Sequence, residues 1–416
     1  MKRKDTPEEA AFRSEARSWL DANAELRRGE GDWSNGPRVH THEAEAEYFD
    51  RCRTWQRTKF DGGWACIAWP RKYGGRGGSA AQEIIYAQEE AAFDVTSGFL
   101  PASISLMGPA LMRHGNEAQR ERFLTPLQRG DEVWCQLFSE PEAGSDLAAL
   151  RTRAELVDGE FIVNGQKLWT TSAQFADYGF LLARSNPDVP KHAGISFLLV
   201  DMSDPGVDVR PLPTCKGDRH FNEVFFTDVR IPVSNVVGEI DGGWAVAKTT
   251  LANESMAIGS GRRGRDTTAA LVRFARDRGR WSDPLTRQRV ATAYTQERVL
   301  GFLQDKLQQA LLDGRSPDVD GSVMKVLWSE TRSLKAEIGL DIQGAEGLLF
   351  GGDAFDRGFW QELVLDRPMG SIGGGTHEVH RNGIGERALG LPREPRVDRE
   401  VAFRDLKTSM DGGTSK

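Results

Sequence analysis

The chain has 416 residues, 39% apolar and 28% charged: long enough for two or three domains and too apolar for wholesale disorder. Lys plus Arg is 54 against 61 for Asp plus Glu, a net charge of −7, which argues against a partner such as nucleic acid or an anionic membrane surface. There is no run of about 18 apolar residues, no secretory signal in Met1–Glu9 and no Cys-x-x-Cys among Cys52, Cys66, Cys135 and Cys215, so the expectation is a cytoplasmic protein with no membrane span, disulfide scaffold or zinc framework.

In chain order, residues 7–128 read as helical. Phe12, Ala16, Trp19 and Leu20 recur on one helix face, and so do Leu100, Ile104, Met107 and Leu111. Residues 131–236 change period. Asp158-Gly159 and Asn164-Gly165 are two-residue turn signals flanking Phe161-Ile162-Val163, and both fit type I′ hairpins. The short apolar runs Phe180–Leu182, Ile195–Val200 and Val224–Phe226 extend this into an all-β segment of antiparallel hairpins, a barrel or sandwich. Residues 242–391 return to helical period, with long segments starting after Gly243, near Pro284 and near Pro317. Val323, Val326, Leu334, Ile338 and Ile342 form one stripe, and the segment lengths favour a bundle. The tail from Pro392 is charged and Gly-rich at its end, and is expected to be loosely ordered. The fold class is therefore α+β multidomain: an N-terminal helical domain over 1–129, a central antiparallel β-barrel domain over 130–238, a C-terminal four-helix bundle over 239–391 and a charged tail over 392–416.

Several motifs carry chemistry, each with a plainer alternative. Gly259-Ser260-Gly261-Arg262-Arg263-Gly264 has the dinucleotide string but follows a helical segment, so a close-packing patch accounts for it better. His377 and His380, at i and i+3, have no carboxylate-rich partner motif, and no metal site is expected; His40 and His42 read as solvated. Glu254 shares an apolar stripe with Leu251 and Ile258, where desolvation raises a carboxyl's proton affinity and suits it to act as a base; the alternative is a Glu snorkelling at the stripe's edge. Phe138–Asp146 is a Gly/Ser loop after a strand, and Trp169-Thr170-Thr171-Ser172 sets an aromatic beside three hydroxyls; they read as a cofactor site or as a surface turn and a core Trp. Gly373-Gly374-Gly375-Thr376 precedes a helix and suits a phosphate or carbonyl cradle, or a plain linker.

Together these clusters resemble the acyl-CoA dehydrogenase family of flavoproteins, over about residues 8–395. The motifs are Trp69-Pro70…Tyr73-Gly74-Gly75, Phe138-Ser139-Glu140-Pro141…Ala143-Gly144-Ser145-Asp146 and Asn164-Gly165-Gln166-Lys167-Leu168-Trp169-Thr170-Thr171. They continue with Asn222–Phe226…Val229–Pro232, Val237-Gly238-Glu239…Gly243-Trp244 and Gly374-Gly375-Thr376…Leu389-Gly390-Leu391-Pro392. The resemblance implies FAD-dependent α,β-dehydrogenation of an acyl-CoA thioester to the trans-2-enoyl-CoA. It implies a flavin ring held at Phe138, Ser139, Trp169 and Thr171 with Ser145 beside it, and an adenine end met by a neighbouring subunit at positions matching Arg280, Gly344, Thr376 and Glu378. A homodimer or homotetramer is implied, with a hetero-oligomer as an option and electron-transfer flavoprotein as electron acceptor. Most members carry the base just before the Gly-Thr pair, where this chain has Gly374; isovaleryl- and long-chain-type members place it at the position of Glu254. Glu254 is thus the implied base, with the Gly374 N–H left to polarise the thioester. The Arg that usually follows is Ser255 here. An acyl-CoA oxidase and a non-catalytic flavin-binding subunit are the alternatives.

Overall fold

A computed structural model describes residues 5–26, 42–98, 100–259, 267–312, 320–393, 395 and 398–406; for Glu254–Gly259 it describes the backbone alone. The Gly-rich string from Ser260 onward and His40 lie outside these residues, and His42 opens the second helix.

The helices are α1 (Pro7–Asn23), α2 (His42–Asp61), α3 (Ala80–Glu90), α4 (Leu100–His114) and α5 (Glu117–Arg129), then, after the strands, α6 (Gly243–Gly259), α7 (Thr267–Asp277), α8 (Pro284–Leu312) and α9 (Asp320–Gln343). Three short ones follow: α10 (Phe359–Leu365), α11 (Arg367–Ile372) and α12 (His377–Gly383). Local signals explain several starts. Thr6 and Glu9 form a capping box on α1, Ser79 and Gln82 another on α3, and Asn116 and Gln119 a third on α5.

The strands are β1 (Trp134–Leu137), β2 (Arg153–Val157), β3 (Glu160–Thr171), β4 (Tyr178–Arg184), β5 (Ile195–Asp201), β6 (Val207–Leu212) and β7 (Phe221–Pro232). They form one sheet in the order β1-β4-β2-β3-β7-β6, with β5 on the other side of β4. Most pairings are antiparallel, but β1 lies parallel to β4, with Leu137 opposite Leu181. That pairing departs from the all-antiparallel expectation, because β2 and β3 form a crossover between the two strands. Among the described residues no pairing joins β5 to β6, so the sheet is open rather than a closed barrel.

The two turn signals resolve differently. Asp158 (φ 51°) and Gly159 (φ 85°) form the expected two-residue turn between β2 and β3. Asn164-Gly165 does not turn the chain: it lies inside β3 at a register shift against β7. The Asn164 side chain bridges that irregularity, donating to Asp228 Oδ1 and accepting from the Asp228 N–H. A Cβ at Gly165 would meet Thr152 at 2.7 Å, so close backbone approach requires glycine.

The described residues fall into two compact units. One comprises Met1–Gly98, Thr214–Asp218 and Glu254–Leu391. It holds a core of Phe12, Ala16, Leu20, Trp55, Trp64 and Tyr86, and another in which α7, α8, α9 and α10 meet around Leu271, Phe274, Val290, Ile338 and Trp360. The other comprises Phe99–Pro213, Arg219–Asn253 and Pro392–Lys416, built on the sheet with Leu137, Phe161, Leu181, Leu198 and Val224 inside. No described helix is long and apolar enough to cross a membrane.

Candidate active site

In the sheet unit, the segment after β1 and the end of β3 are tied together by buried polar bonds. Lys167 is fully buried, which is costly for an ammonium unless every donor finds a partner. Its Nζ donates to Phe138 O at 3.0 Å and to Glu140 Oε1 at 2.7 Å. The Glu140 carboxylate also accepts from the Arg151 N–H (2.6 Å) and the Thr152 N–H (2.9 Å). Burial pushes the Glu140 carboxyl up, but the Lys167 charge and these hydrogen bonds outweigh it and hold it below the usual range. The Leu168 N–H then donates to Ser139 O at 2.9 Å. The consequence is a break in the β3 ladder between Lys167 and Thr170.

At that break Trp169 takes a left-handed backbone, φ 61°, and Ser172 follows at 57°. Such values at non-glycine residues cost on the order of 1–3 kcal/mol each and persist only where surroundings enforce them. Here Asn222 contributes, donating to Thr170 O at 3.0 Å. The strained turn carries the Trp169 indole outward, 58% exposed, with an edge-on contact to Phe221 at 5.7 Å. An exposed indole on a rigid strand end is a stacking platform.

Ser139 and Thr171 are half-buried and Ser145 is exposed, and none of their hydroxyls bonds to a described residue. Thr170 Oγ1 is buried with no partner among the described residues. The hydroxyls of Ser139 and Thr171, at the strand end that carries the exposed indole, suit the edge and face of a flavin ring. Phe138 differs: its ring is buried edge-on against Phe180 (5.8 Å) and Phe197 (6.1 Å), so only its backbone can face a ligand. Lys167 and Glu140 lie inside the sequence motifs Phe138–Asp146 and Asn164–Thr171, but nothing local marks either as one half of a buried ion pair.

The helical unit carries the other residues. Gly374 (φ 66°) and Gly375 (φ 97°) are both left-handed, just before the α12 cap, Thr376, whose hydroxyl accepts from the Val379 N–H. Two buried side chains fasten this loop. Lys325 Nζ donates to Gly375 O at 2.6 Å and Ser371 O at 3.2 Å. His380 Nε2 lies 2.9 Å from Gly374 O and its Nδ1 lies 3.0 Å from Ser322 Oγ. Desolvation lowers the His380 pKa, so the ring is neutral, donating from Nε2 to the carbonyl and accepting from Ser322. The Gly374 carbonyl is thereby committed, and its N–H bonds to no described residue. Glu378 is exposed in the first turn of α12, with its carboxyl held low by its own N–H and the Thr376 hydroxyl. Gly344 (φ 61°) follows α9 with open space around it, and Arg280 is exposed in the turn after α7. Glu254 falls on α6, and its side chain lies outside the described residues.

A curled, mostly antiparallel sheet, flanked in sequence by helical regions, carries the pinned Ser/Trp/Thr cluster. The family models for the acyl-CoA dehydrogenase N-terminal, middle and C-terminal domains match residues 6–131, 135–229 and 241–389. Acyl-CoA dehydrogenase IpdE1 of Mycolicibacterium smegmatis is 37% identical over 405 residues, 92% of this chain and 98% of that protein. The chain therefore belongs to the acyl-CoA dehydrogenase family and is an enzyme of that FAD-dependent class. Among solved structures, the Tcur3481-Tcur3483 steroid ACAD is 30% identical with a TM-score of 0.77, over 95% of this chain and 100% of that one. The ChsE4-ChsE5 complex from Mycobacterium tuberculosis is also 30% identical, TM-score 0.75, over 95% and 100%.

Proposed function

We propose that this chain binds FAD and converts an acyl-CoA thioester to its trans-2-enoyl-CoA. The observation that carries the reading is the pinned break in β3, which holds an exposed Trp169 near Ser139 and Thr171, whose hydroxyls bond to no described residue. Those residues would hold the ring; Arg280, Gly344, Thr376 and Glu378 would meet the adenine end of a flavin in a neighbouring subunit. When bound, FAD accepts the β hydrogen as hydride. Glu254 removes the α proton. The left-handed Gly374, with its carbonyl occupied by His380, directs its N–H to the thioester oxygen as negative charge develops there.

The C-terminal helices form a four-helix domain, and exposed Tyr294 and Phe302 on α8 with Trp328 on α9 support an oligomer. Electron-transfer flavoprotein is the acceptor. The steroid ACAD relative at 30% identity supports a polycyclic acyl group, which a screen of flavin bleaching across short, long, branched and sterol-side-chain acyl-CoAs tests. A second reading, a flavin-binding subunit that needs a different catalytic chain, is favoured by Ser255 in place of the family's Arg and by the relative solved as a ChsE4-ChsE5 complex.

The deciding experiment is anaerobic rapid mixing with acyl-CoA. Wild type should bleach, and Glu254→Gln should retain FAD yet lose reduction by several powers of ten. Near-normal bleaching by Glu254→Gln would place the base elsewhere; a wild-type flavin that stays yellow until a second chain is added would favour the second reading.

A further inference from the structure

Part of the C-terminal tail is docked, against the expectation of loose order. Phe403 is 7% exposed. Its ring lies 3.8 Å from the Arg184 guanidinium and 5.5 Å from that of Arg151. The Phe403 N–H donates to Val189 O at 2.9 Å, the Arg404 N–H donates to Pro187 O at 3.0 Å, and Ala402 bridges to Pro190. Arg404 also pairs with Asp188.

The residues that receive this tail also hold the Ser139–Asp146 loop. Lys191 Nζ lies 2.5 Å from Asp398 and 2.7 Å from Asp146, the residue next to Ser145. Arg184, itself buried, donates to Lys191 O at 2.7 Å and to Ala148 O at 2.6 Å. One cation therefore joins the tail to the loop tip, and another joins the tail's buried ring to the turn that ends the loop.

We propose that Asp398–Leu406 is a clamp that presets the Ser139–Asp146 loop, with Lys191 and Arg184 as positioning residues, so that tail docking sets how firmly the cofactor is kept. This rests on the reading of that loop as the flavin site. The physical basis is entropy: beyond the Glu140–Ala143 backbone pair, Gly144 has open space around it and the loop tip is exposed, so side-chain tethers such as Lys191–Asp146 add to its order. Ordering a loop before its ligand arrives removes that cost from binding.

The test uses the full chain with Phe403→Ala, Phe403→Tyr and Asp398→Asn. Two quantities are read: amide hydrogen exchange over residues 139–152, with and without FAD, and the rate of FAD loss by flavin fluorescence. Phe403→Ala should speed exchange over 139–152 and FAD loss about tenfold, the scale of one desolvated cation–ring contact. Asp398→Asn should give about threefold, the scale of a partly exposed ion pair, and Phe403→Tyr should behave as wild type. Unchanged exchange and retention in both Phe403→Ala and Asp398→Asn would overturn the clamp. So would faster exchange across the whole chain in Phe403→Ala together with a silent Asp398→Asn, since that marks a general fold defect. If wild type takes up no FAD, the flavin reading fails, while the exchange measurement still decides whether the tail orders the loop.

Discussion

Replacing Lys167 by Met tests whether the buried pair shapes the Trp169 platform. The substitution keeps the volume but removes the charge and two donated hydrogen bonds. Stranding one member of a buried ion pair costs about 3–5 kcal/mol. Glu140 keeps the Arg151 and Thr152 N–H donors, so the lower end, about 3 kcal/mol, is expected. Adding Glu140→Gln removes the stranded charge, and the double variant should recover about 1–2 kcal/mol of the loss. Native-state hydrogen exchange at β3 amides reads these differences within the sheet unit, in parallel with FAD titration. Both quantities should move together, because the same ammonium holds Phe138 O and the β3 irregularity. A single variant costing under about 1 kcal/mol, or a double variant costing the sum of both singles, would refute the reasoning. The pH dependence has a definite sign. Glu140 is held lower in the folded chain than its unfolded value of about 4.3. Its contribution is therefore complete above that value and lost as pH falls through the lower folded one.

Three further outcomes follow from local geometry. Gly375→Ala puts a Cβ 2.9 Å from His380 Nε2 at φ 97°; it should lower stability by at least about 1–2 kcal/mol and weaken acyl-CoA binding, and an unchanged melting temperature would count against the strapped loop. Gly159→Ala, at φ 85° with open space, should cost only about 1 kcal/mol, whereas Gly165→Ala, 2.7 Å from Thr152 Cα, should cost clearly more; equal melting shifts would contradict the assigned bulge. Hydrogen bonding to Lys191 holds Asp398 below the unfolded carboxyl value of about 3.9, so the Asp398–Lys191 tether is intact above that value and lost as pH falls through the lower folded one. The protection of amides 402–406, taken relative to the intrinsic exchange rate at each pH, should then fall on going from about pH 6 to about pH 3, and unchanged protection would show that the pair does not hold the tail.

Much of this protein was legible in local patterns. Phe12, Ala16 and Leu20 lie on the buried face their spacing marks, as do Leu100, Ile104, Met107 and Leu111. Asp158-Gly159 turns the chain where the dipeptide says it should, because two adjacent left-handed residues are a local demand. The motif around Ser139 and the motif around Trp169 and Thr171 meet at one strand end, joined through the Leu168–Ser139 and Lys167–Phe138 bonds.

Other features waited on contacts between distant residues. Asn164-Gly165 has the same dipeptide character as a hairpin turn, yet its fate was set by Asp228 and Thr152, far along the chain. Nothing local makes Trp169 left-handed; Lys167, Ser139 and Asn222 impose it together. Phe138 stands at a position where the family resemblance implies the flavin ring, and only the fold shows that Phe180 and Phe197 enclose its side chain. Phe403 sits in a charged, unpatterned tail, and distant groups, among them the guanidinium of Arg184, 219 positions earlier (403 − 184), give it a place to be buried. Periodicity and turn chemistry act over a few residues, so one chain segment carries them. Burial of a charge, a bulge register and a docked tail are decided by which distant groups the fold supplies as partners.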